Sequence, residues 1–162
     1  MRPKALLGFV LWGVALGVLA IDQATKYLVR TYMALGEGIV LIPILGGLVS
    51  LVHIRNAGAA FGLFPGAGTF FILVAVVVVI AIVFYQRRLE GDGVLLRLAL
   101  GLQLGGAVGN LIDRLRFGGY VTDFIYVRYW ATSNLADVCI VTGIILLGWQ
   151  YWRDSASGKG QE

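Results

Sequence analysis

Two aspartates stand where charge is expensive. Asp123 sits in VTDFIYV and Asp137 in NLADVCI, each inside strongly apolar sequence. An ionisable group at or within a bilayer costs about 2.5–3.5 kcal/mol on insertion scales and marks a functional site by default. Too few residues separate the two for the chain to cross a membrane and return, so both lie on one side. A segment folding back over the start of the last apolar run would bring them together. Neighbouring carboxylates do not both ionise readily; one keeps its proton, and the pair supplies a base and an acid at once. Such a pair can activate water against an amide carbonyl without a metal or a covalent intermediate. The competing reading is plain: Asp137 caps a helix N-terminus, which favours carboxylates, and Asp123 is a loop acid. The two residues alone do not decide between these readings.

Other polar residues collect at the same level of the chain. Asp22, Gln23 and Lys26 close one apolar run, Asn110, Asp113 and Arg114 close another, and Asn134 opens the last. Asp22 and Lys26 are spaced i,i+4, as an ion pair on one helix face would be. Asp113 and Arg114 suit either pairing at a helix end or a site. Asn56, Asn110 and Asn134 each donate and accept, so they fit positioning a peptide backbone or bracing a loop. NAGAAFG, from Asn56 to Gly62, permits close approach of a ligand or simply a turn. His53 is the one histidine and Cys139 the one cysteine. A disulfide within the chain is therefore excluded, and a His/Cys metal site nearly so. Carboxylate-only ligation stays open, and no cofactor is implied.

The elements that must position these groups are membrane spans. Of 162 residues 59% are hydrophobic and 14% charged, with a net charge of +4; soluble domains carry about 25% charged residues. The length suits one domain, 1–162. Runs at about 6–29, 69–85, 94–112 and 134–152 are each long enough to cross a bilayer as a helix. The first begins after Arg2 and Lys4 like a signal peptide, and reads as an uncleaved span because the remaining chain is equally apolar. Gly101, Gly105, Gly106, Ala107 and Gly109 permit close helix packing. GIVLIPILGGLVSLVHIR (38–55) tempts a fifth span, but Pro43 and Gly46-Gly47 interrupt it, and LVSLVHI reads as a short strand. An open strand does not face lipid, which puts it in a small sheet outside the hydrocarbon. Lys and Arg are nearly balanced between the two sides, but the basic N-terminus and the Arg87-Arg88 turn favour cytoplasmic termini. The loops 31–68 and 113–133 then face outward. No Lys/Arg-rich run suggests nucleic-acid binding.

DQATK (22–26), NAGAAFG (56–62), GGAVGNLIDR (105–114), VTDFI (121–125) and NLAD (134–137) occur in the order found in one family. The chain resembles the lipoprotein signal peptidases, the bacterial type II signal peptidases, across most of its length. The resemblance implies an intramembrane aspartic endopeptidase in which Asp123 and Asp137 are the catalytic pair. Asn56, Gly105, Asn110, Asp113, Arg114, Asn134 and Ala136 match positions that surround or brace the site, and Asp22 and Lys26 a motif of more structural role. It implies an all-α membrane fold: four transmembrane helices, a small extracytoplasmic sheet and a short amphipathic helix, the last two mostly from 31–68. It also implies diacylglyceryl-modified prolipoproteins as substrates, cut just before the lipidated cysteine. Membrane lipids as partners, inhibition by the cyclic lipopeptide globomycin, and a site near the outer leaflet of the bacterial inner membrane are expected with it. Thr122 and Ser133 depart from the aliphatic and aromatic residues usual beside the two acids. A proton- or cation-relaying transport protein is the alternative, against which stands the clustering of the acids at one end. A purely structural membrane protein is the third.

Overall fold

The computed structural model describes residues 4–43, 47–58, 68–89 and 93–156. Four helices, α1 (Lys4–Tyr32), α2 (Gly68–Gln86), α3 (Val94–Arg116) and α4 (Leu135–Ala156), are long and apolar enough to cross a membrane. Each outlasts its apolar run: α3 continues to Arg116 and α4 to Ala156. The polar residues at the ends of α1 and α3 are thus helical, not loop.

α3 is the central element and packs against the other three helices. Lipid tails are as apolar as leucine, so helices associate there by close packing and polar contacts. The glycines of α3 supply the close packing. A Cβ on Gly105 would stand 2.6 Å from the Ala15 carbonyl oxygen of α1, and one on Gly106 2.6 Å from the Ala136 carbonyl oxygen of α4. On α4, Gly143 answers in kind against Ala99 and Gln103 of α3. Leu11, Ala15, Leu100, Leu104 and Ile82 fill the core between α1, α3 and α2.

At one end of the bundle lies a three-stranded antiparallel sheet of β1 (Gly38–Val40), β2 (Val49–Asn56) and β3 (Val121–Val127), in that order. The strand expected around LVSLVHI is β2. Its partner β3 comes from the second loop, so Asp123 stands on a strand and not on a loop, opposite Ile54. The chain passes from α3 into β3 through Gly118 and Gly119, at φ 65° and 94°, a left-handed turn that glycine enters without penalty. Val29 of α1 and Met33 just beyond its end pack on Phe124, tying the sheet to the bundle. The Ser133 carbonyl accepts from the amides of Phe124 (2.9 Å) and Ile125 (2.8 Å), which lays the start of α4 beside β3. The short amphipathic helix expected in 31–68 is not among the described elements; residues 44–46 and 59–67 of that stretch lie outside the described residues.

Candidate active site

Asp123 and Asp137 line one cavity of about 680 Å³ between α2, α3, α4 and the β3–α4 connection. Asp123 is 1% exposed. Its Oδ2 accepts from Asn56 Nδ2 at 2.9 Å and its Oδ1 from Asn134 Nδ2 at 2.8 Å, with Thr132 Oγ1 at 3.4 Å from Oδ2. Burial pushes the Asp123 carboxyl up from its ordinary value to about 6. The Asn56 hydrogen bond opposes that shift, the Asp137 charge adds to it, and Asn134 and Lys26 oppose it. A carboxyl near 6 exchanges its proton close to neutrality, as acid–base work requires.

Asp137 sits in the first turn of α4, where Asn134 Oδ1 accepts from the Asp137 amide at 3.0 Å. The Asp137 carboxylate answers toward the Asn134 amide at 3.3 Å, the reciprocal arrangement of a capping box. Asn134 therefore caps the helix with its oxygen while its nitrogen holds Asp123. The capping reading of Asp137 is thus satisfied together with a place in the cavity. On its other oxygen Asp137 accepts from Asn110 Nδ2 at 2.7 Å.

Behind the cavity runs a fully buried polar cluster. Lys26 Nζ is 2.9 Å from Asp22 Oδ2, 3.8 Å from Asp113 Oδ2 and 2.8 Å from Asn110 Oδ1. Asn110 thus links the ammonium of Lys26 to the carboxylate of Asp137. Asp22 Oδ1 accepts from the Ala136 amide at 3.0 Å, which anchors α4 to α1. Asp113 Oδ2 accepts from the Thr122 amide at 3.0 Å and is 3.4 Å from Arg30 Nη1, fixing the strand one residue before Asp123. Gln23 adds bonds to the Gly109 carbonyl (3.1 Å) and Asp113 (3.3 Å). The DQATK segment is therefore the brace that sets both aspartates in place.

Of the residues singled out in the sequence, Asn56, Ala107, Asn110, Arg114, Asp123, Ser133, Asn134 and Asp137 reach the cavity. Arg114 also stacks over Phe71, its guanidinium carbon 5.2 Å from the ring centre. Asp22, Lys26, Asp113 and Ala136 lie behind it, and Gly105 serves the α1–α3 crossing instead. Ala136 is fully buried, its backbone carbonyl lying against Gly106. Thr122 accepts on its hydroxyl oxygen from Arg30 Nη1 at 2.9 Å. Thr132 and Gln103 also line the cavity, and no motif in the sequence points to either. Among the described residues no three His, Cys, Asp or Glu side chains gather as metal ligands would.

Residues 14–153 match the model of the family described as signal peptidase (SPase) II. The chain belongs to the signal peptidase II family. It is 50% identical over 137 residues to a lipoprotein signal peptidase of Moorella thermoacetica, covering 85% of this chain and 89% of that protein. A lipoprotein signal peptidase of Halothermothrix orenii is 41% identical over 145 residues, 90% of this chain and 97% of that one. A bacterial membrane enzyme structure obtained by the in meso method at 2.3 Å resolution superposes with a TM-score of 0.79 at 31% identity, over 92% of this chain and 91% of that chain. A second, at 1.9 Å, gives 0.74 at 32% identity, over 87% and 91%. As a member of this family the chain is a multi-pass membrane protease, and a transport role has no support.

Proposed function

We propose that this signal peptidase II removes the signal peptide of diacylglyceryl-modified prolipoproteins by aspartic chemistry, with Asp123 and Asp137 as the catalytic pair. The observation that carries the reading is the shared cavity: two carboxylates, each held by asparagine amides, at one end of a mainly apolar groove. The groove suits a hydrophobic signal segment, and its polar end suits the scissile amide. One aspartate takes a proton from water as its oxygen attacks the carbonyl carbon, and the other gives a proton to the carbonyl oxygen, forming a gem-diol. The C–N bond then breaks with proton transfer to the leaving nitrogen of the lipidated cysteine. The pair titrates as a unit, so the one proton it holds belongs to both. Arg114, Asn56 and Asn110 border the same space and orient the peptide.

Both termini lie in the cytoplasm and the sheet end faces the outer leaflet of the inner membrane, where diacylglyceryl chains enter from the surrounding lipid. Globomycin, a cyclic lipopeptide, competes for this groove. The test is cleavage of a diacylglyceryl-modified prolipoprotein by purified enzyme, followed by gel shift with and without globomycin. Proton or cation flux through reconstituted liposomes, with no cleavage, would overturn the proposal.

A further inference from the structure

Below the aspartates the cavity wall is almost wholly apolar: Val74, Ala75 and Val78 of α2, Ala107 of α3, Val138 and Val141 of α4. Gln103 of α3 interrupts it. Its side chain runs across α4 where Gly143 leaves room; a Cβ on Gly143 would stand 2.7 Å from Gln103 Cγ. Gln103 Nε2 is buried and has no hydrogen-bond partner among the described residues. An amide left unpaired at membrane depth is costly, because lipid offers no replacement for water. The nearby Thr142 also lines the groove, its hydroxyl donating to the Val138 carbonyl at 2.7 Å and so still able to accept.

Gln103 lies two helical turns from Asn110, about 10 Å at 1.5 Å per residue. An extended peptide advances about 3.3 Å per residue, so the amide is level with a peptide unit about three residues from the scissile bond. A substrate entering a protease site must present extended backbone there, and each such peptide unit carries a donor and an acceptor that lipid does not satisfy.

We infer that Gln103 is a substrate-binding residue whose side-chain amide hydrogen-bonds the unwound backbone of the signal segment about three residues before the cut. This rests on the reading that a signal segment occupies the groove. The amide holds that segment out of helical form as it reaches the aspartates. It acts on binding and on placement of the backbone, not on the activation of water.

The test uses the full-length enzyme in detergent or liposomes and diacylglyceryl-modified peptide substrates in which single backbone amides before the cut are replaced by esters. An ester lacks the N–H and is a weaker acceptor. Nε2 donates to a backbone carbonyl, so for the wild type the ester at that carbonyl, a weaker acceptor, is expected to lower kcat/KM by about twofold to fivefold, part of one net hydrogen bond. Gln103→Leu is expected to lose about fivefold to tenfold on the all-amide peptide, one net hydrogen bond, chiefly through KM, and to be indifferent to the ester at that position. Gln103→Met, flexible and of similar length, serves if the leucine variant does not fold. An unchanged kcat/KM in either folded variant overturns the inference. So does an ester profile that keeps its wild-type shape in the variant, because a purely structural role lowers all substrates alike. Failure here leaves the aspartic mechanism untouched, since the comparison needs only that cleavage occurs; Asp123→Asn and Asp137→Asn test that separately.

Discussion

Asp123 accepts amide donors on both oxygens while burial and Asp137 work against its charge. The balance leaves its carboxyl near 6, so the protonated form fades as pH rises through that value. Activity that needs one proton on the pair should therefore fall on the alkaline side from about pH 6. Asn56 lowers this carboxyl by its 2.9 Å hydrogen bond; without it burial is less opposed and the proton is held to higher pH. Asn56→Ala is expected to move the alkaline limb of kcat/KM upward, besides lowering its height. A limb that stays in place, or moves down, would show that Asn56 does not tune Asp123. Lys26 carries a different burden. It is buried against Asp22 and Asp113, and Lys26→Met leaves the buried Asp22 without its cation and Asp113 with Arg30 alone. Breaking a buried ion pair from one side costs about 3–5 kcal/mol, so thermal unfolding in detergent should show a large loss of stability. A loss within that of an exposed lysine substitution would contradict the brace.

Elements meet so closely here that a methyl group decides the geometry. A Cβ on Gly109 would stand 2.5 Å from Asp22 Oδ2, the carboxylate that accepts from the Ala136 amide. Gly109→Ala is expected to destabilise by about 1–3 kcal/mol, as overpacking does, and to lower activity by displacing the first turn of α4. Gly148→Ala, with nothing within 4 Å, is the control and should leave both intact; equal effects in the two variants would sink the argument. The glycines of α3 were legible in the sequence as a packing surface, and the four spans were legible because apolar runs of that length have few other uses. The strand β3 was not. VTDFIYV is as long as LVSLVHI but carries a carboxylate among its apolar residues, and what makes it a strand is a distant partner, β2, together with the backbone clamp from Asp113. The brace formed by Asp22 and Lys26 was legible as an i,i+4 pair, whereas its reach through Asn110 to Asp137 depends on the α1–α3 packing. Thr122 gave no sign of its partner because Arg30 is far away in sequence.

For the whole molecule, four spans put both termini and the α2–α3 turn on one side and the sheet on the other. In a Cys139→Ser background, Arg87→Cys should label from the cytoplasmic face and Arg128→Cys only from the opposite face. Labelling of both from one face would contradict the four-span arrangement. The groove, the pair at its polar end and the brace behind it then form a single device: α1 sets α3 and α4, and these hold the two carboxylates together at one end of the groove, where we propose the cut is made. The most direct test of that account is cleavage of a diacylglyceryl-modified prolipoprotein by reconstituted wild type, Asp123→Asn and Asp137→Asn. Each variant should fold and bind substrate yet lose at least about a hundredfold in kcat, the scale of acid–base catalysis. Near wild-type turnover by either would contradict it.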